Sequence, residues 1–234
     1  MADFRLLRQG KVLVYLSVYV INIVHTRNNP DFLSSLITQP SQAFELKDLG
    51  ALHYFLGLQI TRTSRGLFLN QTKYAHDLLL KHNMLSSKPA CSPCAPNEGS
   101  ILANPHEYRS MVGSLHYLTF TRPDLSFAVH QVCQFMSIPT DVHLVAAKHI
   151  LRYINGTLNF GVFLQPGPLS LSAFSNSNWT GDPFDRCSTT GYLVYLGYNP
   201  ITWSAKRQEI VSRSSPESKY RALAATAAKL SWLR

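Results

Sequence analysis

The sequence predicts an α+β fold. Three features carry that prediction: an apolar, β-branched stretch at residues 11–26, a helical block at 105–158, and short strands from about 160 that lead into an Ala-rich helix. The chain has 234 residues, enough for one large or two small domains with a sizeable core. Hydrophobic residues make up 45% and aromatics 11%, which marks a globular chain and excludes a disordered one.

Residues 11–26 read as two strands. "VLVYLSVYV" runs up and "INIVHT" runs down. Asn22, a lone amide between Ile21 and Ile23, is assigned to the turn because Asn tolerates turn geometry. A helix is expected from Asp31 to Gly50, broken or kinked at Pro40, where an interior proline costs about 3 kcal/mol. "ALHYFLGLQITRTSRGLFLNQ" reads as a hairpin, with strands near 51–62 and 67–70 and a turn at Thr63–Gly66. "QTKYAHDLLLKHNM" follows as a helix with Tyr74, Leu78, Leu79 and Leu80 on one stripe.

"SSKPACSPCAPNEGSILANP" carries four prolines and no periodicity, so it is a linker or long loop. Three helices then resume. The second starts at Pro123, a residue suited to a first turn, and the third is capped by Thr140 and stopped by Gly156. Their histidines, His116, His130, His143 and His149, are read as ordinary core residues. From about 160, "FGVFLQ", "LSLSAFSNSNW", "TTGYLVYLGY" and "PITWSAKRQ" are short strands separated by turns. The last helix begins at Ser214 or Ser215 with Pro216 in its first turn. Three antiparallel strands and a helix make an unfinished α/β unit, which a further parallel strand would cover.

Lys and Arg number 22 against 13 Asp and Glu, a net charge of +9. That excess favours a polyanionic partner, nucleic acid above all; the bland alternative is a basic, solvated surface. Four cysteines are too few for a disulfide framework. Cys91 and Cys94 form a lone C-x-x-C without the second pair that structural zinc wants, so no metal is assigned there. No apolar run is long enough for a membrane span, and no small-residue cleavage site follows the first apolar stretch. Neither a signal peptide nor a membrane partner is expected, and the compartment is left open.

Four segments in order resemble one family: "ELKDLGALHYFLGLQITRTSRGLFLNQTKYAHDLLLKHNM", "YRSMVGSLHYLTFTRPDLSFAVHQVCQFMSIPT", "AAKHILRYINGT" and "RCSTTGYLVYLGYNPITWSAKRQEIVSRSSPESKYRALA". They look like the polyprotein of copia-type retrotransposons, at the end of the reverse transcriptase and the start of its RNase H domain. They are also similar to an uncharacterised plant mitochondrial open reading frame of that origin. The resemblance implies a reverse transcriptase palm remnant at 1–85, a linker at 86–104, a helical thumb or connection region at 105–158, and a truncated RNase H-like sheet and helix at 159–234.

In that family the first hairpin carries Tyr-Val-Asp-Asp, whose carboxylates help to hold two magnesium ions. Tyr19, Val20, Ile21 and Asn22 occupy those positions here. Two divalent ions ~4 Å apart repel by roughly 16 kcal/mol at an effective dielectric near 20, so anionic ligands must offset the repulsion. Ile21 has no donor atom, and Asn22 offers only a neutral carbonyl oxygen. The resemblance places the fingers and the third palm carboxylate outside these residues.

The RNase H motifs differ in the same way. Where the family has Ser-Asp-Ala-Asp-Trp on the first strand, this chain has Ser175, Asn176, Ser177, Asn178 and Trp179. Where a helix in the family reads Ser-Ser-Thr-Glu-Ala-Glu-Tyr, Lys219 replaces the second Glu. Glu217 cannot stand in, because two residues along a helix is about 200° around it. Asp182 and Asp185 would need a rearranged strand. Asn22, Asn176, Asn178 and Lys219 are each one G-to-A change from the family's acid, a pattern that fits drift.

The expectation is therefore a degenerate reverse transcriptase/RNase H fragment that is not an active enzyme and has no cofactor, although its family uses magnesium. Ile21, Asn22, Asn176 and Lys219 are its degenerate catalytic positions. The alternative is a nonspecific nucleic-acid-binding module that keeps contacts to RNA, DNA or an RNA–DNA hybrid through Lys206, Arg207 and Arg213. Neither reading requires a small-molecule substrate.

Overall fold

A computed structural model describes residues 3–9, 12–19, 22–27, 50–92, 100, 102–181 and 185–234. Helix and strand are mixed throughout, so the α+β class holds. The chain divides into two compact units, 1–53 and 54–234.

The first unit holds an antiparallel sheet in the order β1-β2-β3, with β1 Asp3–Gln9, β2 Val12–Tyr19 and β3 Asn22–Arg27. The expected hairpin is present, but it has a third strand that the sequence reading missed. Tyr19 pairs with Asn22, so Asn22 opens β3 and does not form the turn itself. Ile21 lies outside the described residues, as does the helix expected at 31–49.

In the second unit, β4 Tyr54–Phe55, β5 Leu58–Thr63, β6 Gly66–Asn70 and β7 Gly161–Leu164 form a second sheet in sequence order. The single strand expected near 51–62 is broken at Leu56 and Gly57. Both have positive φ, 48° and 74°, the geometry of a tight hairpin turn. Tyr117 Oη donates to the Leu56 carbonyl and fixes that turn. The turn at Thr63–Gly66 forms as expected, with those two residues paired. β7 joins the far edge of this sheet through Leu67↔Leu164 to Asn70↔Gly161.

Helices α1 Thr72–Lys81, α2 Pro105–Leu118, α3 Ser126–Cys133 and α4 Asp141–Gly156 build the main core. Tyr108, Met111, Leu115, Leu125, Val129, Ile150 and Leu151 are at most 1% exposed. Each such apolar side chain contributes about 1.5–3 kcal/mol by leaving water. Tyr108 reaches the core with its hydroxyl satisfied, donating to the Val132 carbonyl at 2.6 Å. Leu78 and Leu79 are buried as expected; Leu80 is 50% exposed, since the next helical position turns about 100° out of the stripe. Thr140 caps α4 as expected, and His143 completes the box by accepting from the Thr140 N–H at 3.0 Å. Of the helix histidines read as core residues, His143 is buried, His130 and His149 are half-buried, and His116 is exposed.

Pro123–Leu125 form a 3-10 turn before α3. Arg122, just ahead of it, is 3% exposed. Its guanidinium pairs with Asp124 at 2.7 Å and donates to the carbonyl of Thr157 at 3.0 Å and its hydroxyl at 2.7 Å. Thr157 ends α4, so Arg122 places a cation at that helix C-terminus and satisfies one of its orphan carbonyls.

Residues 86–92 run against α4. Ala90 N–H donates to the Arg152 carbonyl, Arg152 Nε to Lys88, and Asn155 to Leu85 and Ser87.

A third sheet has the order β10-β9-β8, with β8 Leu171–Asn178, β9 Thr189–Leu196 and β10 Asn199–Arg207. Helix α5, Ser215–Leu233, packs over β8 and β9. These are the expected antiparallel strands and closing helix, and Ser214 is the cap. Trp203 Nε1 donates to the Thr119 carbonyl at 2.7 Å, and the Arg207 N–H donates to His130 Nε2 at 2.9 Å. Both bonds tie β10 to the helical core. Among the described residues, no helix is long and apolar enough to cross a membrane.

Candidate functional site

A cleft of about 450 Å³ opens between the edge strand β8 and the first turns of α5. Ser175 and Asn176 line it from the strand; Ser215, Pro216, Lys219, Tyr220 and Leu223 line it from the helix. Helical periodicity explains the second set, because Ser215, Lys219 and Leu223 follow one another at i, i+4 and i+8 on one face. Asn176 and Lys219, which the sequence reading singled out separately, thus share one cleft.

A polar cluster holds the helix in place over the strand. The side-chain amide of Gln208 lies 3.2 Å from Ser177 Oγ, 3.0 Å from Thr190 Oγ1 and 2.9 Å from the Ser218 carbonyl. Ser212 Oγ donates to Gln208 Oε1 at 2.9 Å, and Trp179 Nε1 donates to the Ser212 carbonyl at 3.0 Å. Ser177, Ser212 and Ser218 are buried, so this network replaces water for groups that would otherwise be costly to bury.

The hydrogen bonds decide what the cleft can offer a ligand. Asn176 Oδ1 accepts from the Ser177 N–H at 2.9 Å, and its Nδ2 forms no hydrogen bond with a described residue. Lys219 is exposed, and no described residue forms a hydrogen bond or ion pair with its ammonium. Among the described lining residues there is no carboxylate. The described lining therefore offers one ammonium and neutral hydroxyl and amide groups, without the anionic oxygens that usually neutralise a hard dication such as magnesium. Among the described residues, no group of three or more His, Cys, Asp or Glu converges anywhere.

Glu217 and Asp185 are engaged elsewhere. Glu217 accepts from the Arg213 N–H at 2.8 Å and from Arg221 at 2.8 Å. The Arg221 hydrogen bond, followed by the Arg213 backbone bond, holds its carboxyl below the usual range. Asp185 accepts from the Cys187 N–H and pairs with the Arg207 guanidinium at 2.5 Å. Asn178 Oδ1 accepts from the Thr189 N–H at 2.5 Å. Asp182 lies outside the described residues.

Of the cationic candidates, Lys206 and Arg207 stand at the end of β10, two strands from the cleft at about 5 Å per strand. Lys206 is exposed, whereas Arg207 is committed to Asp185. Arg213 is exposed in the turn before α5. Asn22 belongs to the first unit, and Ile21 and Cys94 lie outside the described residues. The sequence reading missed Ser215, Tyr220 and Leu223 as cleft residues; Ser215 and Leu223 lie four residues before and after Lys219 on one helix face, which was the available signal.

A second cavity of about 410 Å³ lies between α2, α3 and β10, lined in part by His116, His130, Cys133 and Trp203. Burial, and then the nearby Arg207, push the His130 pKa down.

No protein-family model and no solved structure matches the chain. Curated relatives do match. The chain is 48% identical over 97% of its length to the retrovirus-related Pol polyprotein from transposon RE1 of Arabidopsis thaliana. It is 46% identical over 97% of its length to the corresponding polyprotein from transposon RE2. In each case it spans 16% of the polyprotein. An uncharacterized mitochondrial protein of the same plant is 47% identical, with 94% of each chain covered. The chain belongs to the copia-type retrotransposon Pol polyprotein family, in the segment shared with that mitochondrial protein.

Proposed function

We propose that this chain is a catalytically silent segment of a copia-type reverse transcriptase and RNase H. The observation that carries this reading is the lining of the β8–α5 cleft. β8–β10 with α5 correspond to an RNase H-like start, and 1–85 with 105–158 to a palm remnant and its connected helices. In that correspondence Asn176 and Lys219 stand where the family has metal-holding carboxylates. An ammonium in a site that must offset the repulsion of two dications works against occupancy from the outset. The chain has no cofactor in this reading, and any partner is RNA, DNA or their hybrid, bound weakly and without sequence preference.

The test is a cleavage assay on a labelled RNA–DNA hybrid with the whole chain in magnesium and then manganese. No product above the chelator-treated control is expected. Product that disappears on chelation would overturn the reading.

One observation favours a second reading, a nonspecific nucleic-acid-binding module. Lys206 and Arg213 are exposed cations in a chain with a net charge of +9. Such contacts would hold phosphates without reading bases. Affinity that falls steeply with salt supports this module; affinity independent of salt removes it.

A further inference from the structure

We propose that the β8–α5 cleft is a metal-independent binding site for phosphate-bearing anions, anchored by Lys219. The inference rests on the reading of this cleft as one without metal chemistry and adds a ligand to it.

Four features of the lining point the same way. Lys219 supplies three N–H donors and a full positive charge, with no hydrogen-bond or ion-pair partner among the described residues. Asn176 lines the cleft with its oxygen held by the Ser177 N–H and its Nδ2 donor without a partner among the described residues. Ser175 and Ser215 add hydroxyls on either side of the cleft. No described lining residue is a carboxylate that would repel an anion, and Glu217 is drawn off to Arg213 and Arg221.

A phosphate suits this set because its oxygens only accept, and several donors can converge on it at once. The start of α5 adds a favourable partial charge in the same place. Tyr220 and Leu223, 71% and 55% exposed, flank the donors with apolar surface on which a sugar or base can rest. Replacing Glu by Lys thus does more than remove a ligand for metal: it inverts the cleft from a cation site to an anion site.

The experiment uses the whole chain in EDTA with two probes. Inorganic phosphate is titrated while the Asn176 side-chain amide is followed by NMR. A fluorescein-labelled RNA–DNA hybrid is titrated by fluorescence anisotropy at several salt concentrations. Saturable shifts of the Asn176 amide are expected with at least one probe. A response to hybrid alone identifies the nucleic-acid backbone as the phosphate source; a response to both identifies any phosphate anion. Lys219→Gln should weaken hybrid binding about 5-fold and lower the salt slope by about one phosphate, while Lys219→Arg retains both. Lys219 is exposed and has no partner among the described residues, so these variants should leave the structure intact. Unchanged affinity and slope in Lys219→Gln, or an unresponsive Asn176 amide with both probes, would overturn the site. Hybrid cleavage in magnesium would instead overturn the silent-enzyme reading, and the two failures are read separately.

Discussion

Replacing Arg122 should produce one of the largest losses of stability available in this chain. Its guanidinium is almost fully buried, yet every face of it is occupied. Nε and Nη2 bind Asp124 at 2.9 and 2.7 Å, and Nη1 and Nη2 bind the carbonyl and hydroxyl of Thr157 at 3.0 and 2.7 Å. The rings of Tyr153 and Phe160 lie 5.6 and 5.3 Å from its central carbon. Breaking a buried pair from one side costs about 3–5 kcal/mol, because the abandoned partner keeps its desolvation penalty. Asp124 is 32% exposed and also accepts from Tyr153, so it can recover some hydration. That places Arg122→Met near the lower bound, about 3 kcal/mol. Arg122→Lys should lose somewhat less, since an ammonium cannot make the bidentate contact. Urea unfolding of Arg122→Met, Asp124→Asn and the double variant measures both the losses and their coupling. A loss below about 1 kcal/mol in Arg122→Met, together with zero coupling, would refute the assignment of this residue as the link between the 3-10 turn and α4.

Other expectations concern pH and the surface cations. Burial is the largest cause lowering the pKa of His82, His130 and His143 in the fold. The unfolded chain therefore takes up these protons first, so stability is complete above about pH 6.5 and declines as pH falls below it. A melting temperature that is flat or rising from pH 7 to pH 5 would contradict this. Asp185→Asn releases the Arg207 guanidinium from its ion pair. It should raise affinity for an RNA–DNA hybrid about 2–5-fold at low salt, with the gain lost at high salt, as checked by fluorescence anisotropy.

What the sequence made legible was mostly local. The Thr140 and Ser214 caps, the Thr63–Gly66 turn and the three strands before α5 each follow from a few neighbouring residues. Contacts between distant segments were not legible. Nothing within "FGVFLQ" announces that β7 will pair with β6 and not with β8. β1 was overlooked because Asp3, Arg5 and Arg8 interrupt the apolar pattern that marks a strand. Arg122 was passed over because arginine is ordinarily exposed, and only the fold brings Thr157 and Asp124 around it. Spacing alone could not place Asn176 and Lys219 in one cleft. The family resemblance marked each of them, and the packing of α5 over β8 supplied the juxtaposition.

The proposal that this cleft, with Lys219 and no described carboxylate in its lining, holds no divalent metal ion is tested most directly by paramagnetic broadening with Mn²⁺. In the unaltered chain, NMR signals of Ser175, Asn176 and Lys219 should keep their intensities as Mn²⁺ is added to levels that fill an ordinary carboxylate site. In Asn176→Asp with Lys219→Glu, both substituted positions line the same cleft, and the backbone amide signals at positions 175, 176 and 219 should broaden saturably. Saturable broadening of the same signals in the unaltered chain would contradict the account.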